Sequence, residues 1–395
     1  MATSINLAPT TLKFDNPASP SLSFVPFTLP STNQRTLGSP HPPGTAIPLA
    51  LQATTGSSKE EISLNSAIET VRALQKDDIL TKLLAQHGVL LFRNLPIHSA
   101  AEFSKFAHAF NFRPHEIIGI VVDRPLLAPN VAPANESPPH VLIYNHNESP
   151  QVPHAPEYIM FYSDVAPSEG GQTPISSSVE LFHRAQQEIP EFIDQLAAKG
   201  VLSRVTYKFA KQYEGGSTLK QAFGKEIQDG DDEATRRAKI EAQIRRYGRG
   251  EDTTWEWTED GIILTHRLPA IRTQQSSGLP TLFTGLAAYY KNAVVNHANG
   301  RKNPTTQLFG DGTEIPEHYL KTLADITDEI RVLHQWQRGD VLVFDNVVAQ
   351  HGRQPWVGEQ KDRIVLASLW DGETVPGRYQ NSEGDWAQVV QAADG

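Results

Sequence analysis

Four short apolar runs, each closed off by turn residues, constrain this chain more than any other feature. They are GVLLFRNLP (88–96), EYIMFYSDV (157–165), GDVLVFDNVVAQHGR (339–353) and DRIVLASLW (362–370). Runs of this length, rich in β-branched and aromatic residues and bounded by Gly, Pro or charged residues, predict buried strands. Helical patterns gather between and before them. Ile68, Val71, Leu74 and then Ile79, Leu80, Leu83, Leu84 recur mostly at spacings of three and four, which predicts two short amphipathic helices over 61–86, stopped by Gly88. Ser99-Ala-Ala-Glu102 and Ser177-Ser178-Val179-Glu180 read as capping boxes that open further helices, the first presenting Phe103, Phe106, Ala107 and Phe110 to the core. Another helix is expected over 190–199, ended by Gly200. Strands toward both ends, with helices near the start and middle, do not make the regular βαβ alternation of a parallel sheet. A mixed α+β fold, a double-sheet jelly roll with flanking helices, fits the order better.

Composition narrows the chemistry. With 39% hydrophobic residues over 395 positions the chain can bury a substantial core, as one large domain or two average ones. A formal charge of −10 with no evident basic patch argues against nucleic acid or an anionic membrane as partner. No stretch approaches the ~18 apolar residues that span a bilayer. Cysteine is absent, which removes disulfides, zinc-thiolate sites and thiol nucleophiles. Any metal must therefore sit on His, Asp or Glu.

The N-terminus has neither the basic start nor the apolar core of a secretory signal, so the protein is expected in the cytoplasm. Lys13 and Arg35 are the only Lys or Arg residues of its first 44, and it carries Asp15, which fits a transit peptide poorly. Its Pro and Ser content predicts a flexible or surface-hugging extension over residues 1–57. The organised part is expected to start near 58 and run to 395. Residues 207–252, charged and Gly-bearing with a helix at about 232–247, read as an insertion or lid.

In YNHNESP (144–150), His146 and Glu148 stand two apart. If that segment is extended, both point to one face and can grip one ion, while Asn147 points away. Alone, such a pair is more often a hydrogen-bonded turn, and it needs a third ligand. His351, where an apolar strand runs into a polar loop, is the best candidate. Two histidines and one carboxylate form the facial triad that holds non-haem Fe(II) with positions open for other ligands. Twelve other histidines compete, with His140 and His154 flanking the pair and His115, His334 and others elsewhere.

HNE at 146–148, APSEGGQTPIS at 166–176, WQRGDVLVFDNVVAQHGRQPW at 336–356 and DRIVLASLWD at 362–371 together resemble the clavaminate synthase-like and taurine dioxygenase families, over about residues 85 to 371. HGVLLFRNLP also resembles the first core strand of that family. The resemblance implies a double-stranded β-helix, and an oxygenase that uses Fe(II), 2-oxoglutarate and O2 to oxidise, by default to hydroxylate, a small organic substrate. It also implies a single domain over 58–395. By residue, it implies His146, Glu148 and His351 as metal ligands, Thr173 as a hydrogen-bond partner of 2-oxoglutarate, and Arg363 as the partner of its distal carboxylate. A planar guanidinium suits that task because it can bind a carboxylate bidentately. Arg353 is the alternative partner. Asp345 and Asn346 are expected to act as loop groups or to support the ligands, and Arg267 to be either a substrate partner or a surface residue. Two readings of other classes remain open: a non-catalytic jelly-roll ligand-binding protein, and a metal-dependent hydrolase, since zinc also accepts two histidines and a glutamate.

Overall fold

The computed structural model describes residues 12–13, 22–30, 32–55, 61–116, 118–119, 125–134, 137–210, 218–248, 253–274, 277–298 and 305–372. It is mixed in α and β, with many strands. The first apolar run becomes the strand Val89–Arg93, fully paired inside a nine-stranded sheet. It lies beside Val341–Asp345, which is followed across the sheet by Tyr158–Val165 and Ile364–Asp371, all antiparallel. Alternation explains why these runs are apolar throughout. Leu90, Phe92, Met160, Val341 and Val343 face one way, into a layer shared with the helices Leu64–Lys76, Ile79–His87 and Ala100–His108. Val89, Leu91, Ile159, Leu342 and Phe344 face the other way and meet Ile175, Val332 and Ala349 of a second, four-stranded sheet. A strand buried on both faces has no room for a polar alternation.

The N-capping at Ser99 and Ser177 is present, each hydroxyl accepting from the backbone N–H three residues on. Neither box closes in the expected way. Glu102 reaches back to the N–H of His98, and Glu180 pairs with Arg35. Phe103, Phe106, Ala107 and Phe110 are all core residues. Gly88, at φ 73°, takes a left-handed conformation that ends its helix, and a Cβ there would press on Ala349 at 3.2 Å.

Two expectations need correction. The first is the flexible or surface-hugging extension over 1–57. Residues 1–11 and 14–21 lie outside the described residues, but Leu22–Pro26 and Leu49–Thr55 are strands of the large sheet, the latter paired in parallel with Val89–Arg93. Phe24 is fully buried and meets Phe92 edge-on at 5.0 Å. Arg35 reaches both carboxylate oxygens of Glu180 and the carbonyl of Ile330. Among the described residues Pro30, Ser39, Pro40, Pro42, Pro43 and Pro48 lie between strands while Ser23 and Pro26 lie within one, so averaging over the segment hides strands whose inward residues are apolar. The second is GDVLVFDNVVAQHGR as one strand. It is two, Val341–Asp345 in the large sheet and Ala349–Arg353 in the small one, and the chain crosses between sheets at Asn346. The Asp345 carboxylate accepts from the N–H of Val347 at 2.9 Å, which tightens that turn.

Within the stretch read as an insertion, the helix is Glu233–Gly248, while 211–217 and 249–252 lie outside the described residues. The stretch belongs with a third sheet, Thr253–Thr258, Gly261–Leu268, Val201–Lys208 and Thr305–Phe309, which encloses its own small core of Tyr207, Phe223, Ile240, Ile244 and Leu264. Among the described residues no helix is long and apolar enough to cross a membrane.

Candidate metal centre

The small sheet runs Val332–His334, Thr173–Ser177, Ala349–Arg353, Ile143–His146. His351 lies directly opposite His146 across the last pair, and opposite Ile175 on its other side. A cross-strand pair brings side chains close on one face, and the two imidazole rings are 4.7 Å apart. Glu148 follows two residues after His146, and its Oε2 comes within 3.4 Å of His351 Nε2. One donor atom from each of His146, Glu148 and His351 lies within 4.8 Å of the others. The structure thus brings the three sequence-predicted ligands together.

The local hydrogen bonds fit ligation. Nδ1 of His146 is 2.7 Å from the Tyr144 carbonyl oxygen, to which it must donate, so the lone pair sits on Nε2. Asn147 turns away and is fully buried. Its amide nitrogen donates to Ser178 Oγ and the Asn346 carbonyl, and its Oδ1 accepts from Thr284 N and Gln350 Nε2. This anchor fixes the backbone between the two donors. Two imidazoles and one carboxylate, gathered on one side of a sheet with their backbone immobilised, suit a divalent transition metal.

Asp345 serves the turn and Asn346 a ligand's backbone, rather than either histidine ring. Neither Asp345 nor Asn346 is hydrogen-bonded to an imidazole of the described ligands. Instead the Asn346 side chain brackets Glu148, its Oδ1 accepting from the Glu148 N–H at 2.6 Å and its Nδ2 donating to the Glu148 and Pro156 carbonyls. His351 Nδ1 is buried with no hydrogen-bond partner among the described residues. Its ring is held by packing against Phe161 and Phe344 at 5.0 and 5.5 Å. We expect Asn346→Ala to weaken metal binding by about 10–100-fold, the usual loss when a group that orients a ligand is removed. Competition titration against a chelator measures it.

His146, Glu148, His351, Thr173, Arg353 and Arg363 line one cavity of about 160 Å³. Thr173 Oγ1 accepts from Trp336 Nε1 at 3.0 Å, which leaves its own proton to donate. Trp336 was missed as a partner, although it opens the WQRGD motif. The two arginines differ. Arg353 is spent on the main chain, donating to the carbonyls of Ser137, Pro138 and Val141 at 2.8–3.0 Å. Arg363 donates only Nε, to the Gly171 carbonyl at 3.0 Å, and its two Nη atoms bond to no described residue. Gly171, at φ 64°, allows this approach, since a Cβ there would lie 3.0 Å from Arg363 Cδ. Burial, and after it the charge of Arg353, pushes the Arg363 guanidinium down to about 9. Burial alone brings Arg353 to about 10. Guanidinium groups stay charged in proteins, so two buried cations side by side call for an anion.

A second cavity, about 420 Å³, shares His146 and Ile143 with the first and extends over Tyr144, Phe283, Tyr289 and Gln307. Arg267 is exposed on the third sheet and lines neither cavity. His140 is also exposed, and His334 is buried beside Asp340 at 3.4 Å.

Residues 50–370 match the family described as taurine catabolism dioxygenase TauD, TfdA family. A clavaminate synthase-like protein of Arabidopsis thaliana is 29% identical over 330 residues, 83% of this chain and 91% of the relative. A dapdiamide synthesis protein of Enterobacter agglomerans is 24% identical over 298 residues, 73% and 84% of the two chains. The solved structure of a taurine dioxygenase from Burkholderia xenovorans aligns with 14% identity and a TM-score of 0.43, covering 91% of this chain and 99% of its own. With the family match running through all four apolar runs and every candidate ligand, the chain belongs to the TauD, TfdA family of dioxygenases.

Proposed function

We propose that this dioxygenase holds Fe(II) on His146, Glu148 and His351, takes 2-oxoglutarate between that centre and Arg363, and hydroxylates a C–H bond of a small, uncharged organic substrate. As a member of its family the protein is an oxidoreductase that uses Fe(II), 2-oxoglutarate and O2, and neither a non-catalytic binder nor a hydrolase is favoured. The observation that carries the residue assignment is one cavity lined by all three donors and by a buried guanidinium whose Nη atoms bond to no described residue.

The bound metal and cosubstrate supply the oxidation: one oxygen atom of O2 enters the substrate, the other enters succinate, and CO2 leaves. The chain's own part is positioning. Arg363 binds the distal carboxylate through its Nη atoms, steered by the Nε bond to Gly171. Thr173 donates its proton to a carboxylate oxygen while Trp336 fixes its hydroxyl. Phe161 and Phe344 keep the His351 ring from turning and shield that side of the cavity from water. The two sheets that share the Leu91–Phe344–Ala349 layer are best read as a double-stranded β-helix, and the chain as one oxygenase domain around it. The sheet on which the 207–252 stretch packs closes over the larger cavity through Val201, Leu268, Thr305 and Gln307, and the stretch acts as a lid only through that sheet, since none of its described residues lines the cavity. Among the described residues that cavity has no Asp, Glu, Lys or Arg, which favours a substrate without charge.

Adding Fe(II) and then 2-oxoglutarate to the protein without oxygen should give the weak visible absorption of the chelate, and admitting O2 should release succinate. A protein that showed neither, although folded and iron-loaded, would refute the reading.

A further inference from the structure

His115, His154 and Asp371 form a second group of two histidines and one carboxylate. Three separate segments supply them. His115 follows the short strand Arg113–Pro114 and is tied by its N–H to the Leu369 carbonyl at 3.0 Å. His154 lies in the loop that follows Glu148, and Asp371 ends the strand Ile364–Asp371. His115 Nδ1 is 2.8 Å from Asp371 Oδ1, and His154 Nε2 is 3.1 Å from Oδ2. The rings are 4.4 Å apart, and one donor atom from each residue lies within 4.8 Å of the others. Neighbouring donors around a tetrahedral ion with bonds of about 2.0–2.1 Å stand roughly 3.3 Å apart. The spacing is therefore close to that of a ligated set, and it resembles the 3.4 Å between Glu148 and His351.

The surroundings add to the geometry. Asp371 and His115 are buried, and 15% of the His154 side chain remains exposed, enough for solvent to complete a coordination shell. Burial keeps His115 neutral, as a ligand must be. Burial acts against ionisation of Asp371, yet hydrogen bonds from His115 and His154 hold its carboxyl well below the usual range. Close by, Glu157 is pushed up to about 8 by burial and then by the charges of Asp345 and Asp371, which marks a local excess of negative charge. None of the three residues lines either cavity of the oxygenase site.

We propose that His115, His154 and Asp371 bind a second divalent ion, zinc being the metal that two imidazoles and a carboxylate suit, as a non-catalytic clasp between the 147–157 loop and the end of the Ile364–Asp371 strand. Its effect on the oxygenase is positional: it pins the far end of the loop whose near end carries Glu148. With three protein donors the site binds less tightly than a four-ligand structural zinc.

The test is metal stoichiometry. The full chain is stripped with chelator, reconstituted without oxygen with Fe(II) and Zn(II), desalted and analysed for total metal, with circular dichroism as the check on folding. Wild type is expected to retain two ions per chain. His154→Gln, which keeps a hydrogen-bond donor for Asp371 but is a poor zinc ligand, should retain one, as should Asp371→Asn, while the exposed control His140→Gln should retain two. His351→Ala should also retain one, and zinc should still raise its melting temperature by a few degrees, an effect lost on adding His154→Gln. One ion in wild type, or two in His154→Gln, overturns the proposal and leaves only a hydrogen-bonded His–Asp–His cluster. Loss of the ion in His351→Ala reports on the oxygenase centre alone, so the two readings fail separately.

Discussion

Replacing His351 with alanine is expected to abolish iron retention and 2-oxoglutarate turnover together. The substitution removes one of three donors and leaves His146 and Glu148, which sit on one short segment and grip an ion from one side only. Losing a group that merely orients a ligand costs about 10–100-fold in affinity, so losing the ligand itself should exceed a hundredfold. Alanine also opens a space beside Phe161 and Phe344, so a parallel His351→Gln variant, closer in volume, separates ligand loss from cavity formation. Iron content after desalting and succinate release are the measurements. His146→Ala should behave alike. Either variant turning over 2-oxoglutarate at the wild-type rate would show the metal assignment to be wrong.

Arg363→Ala should leave iron bound and remove affinity for 2-oxoglutarate. Truncating one partner of a buried charge-assisted pair typically costs about 2–5 kcal/mol, a loss of roughly thirty- to several-thousand-fold in Kd. Arg363→Lys keeps the charge but not the bidentate fork and should recover only part of the loss. The variant without cosubstrate should melt no lower than wild type, since it removes one of two adjacent buried cations. Arg353→Ala should do the opposite. It strips three carbonyls of their donor and should lower stability more than cosubstrate affinity. Titrating 2-oxoglutarate into each iron-loaded protein decides between them. If only the Arg353 variant lost affinity, the carboxylate partner would lie in HGRQPW.

Much of this was legible in the residues. Val89–Arg93, Tyr158–Val165 and Ile364–Asp371 announce themselves because both of their faces are covered, so their apolar character is unbroken. The same property blurred the crossing at Asn346, where apolar strands on both sides conceal a change of sheet. The hairpin Thr253–Thr258 with Gly261–Leu268 went unread although Asp260-Gly261 is a turn signal, because the charged flanks suggested an exposed lid. His146 and Glu148 could be paired from their spacing. His351, about 200 residues on, stood out as the best third ligand at the end of an apolar strand, but only the resemblance set it apart from the other histidines, since nothing local records that it faces His146 across a ladder. The roles of Asn346 and Trp336 depend on such long-range contacts too, and Arg353 and Arg363 look alike until their hydrogen bonds are traced.

The N-terminal strands carry a consequence for how the protein tolerates trimming. Leu49–Thr55 covers the outer edge of Val89–Arg93, and Leu22–Pro26 covers Leu49–Thr55 in turn. A chain cut near residue 58 would keep every candidate ligand and both oxygenase cavities. It would also expose an unpaired edge whose residues 89–92 are all apolar, together with the face of Phe92 that Phe24 had covered. Bare edges of that kind template strand addition between molecules. Proteolysis there should therefore first show itself as loss of solubility through edge-to-edge association, ahead of any change in the chemistry at His146, Glu148 and His351.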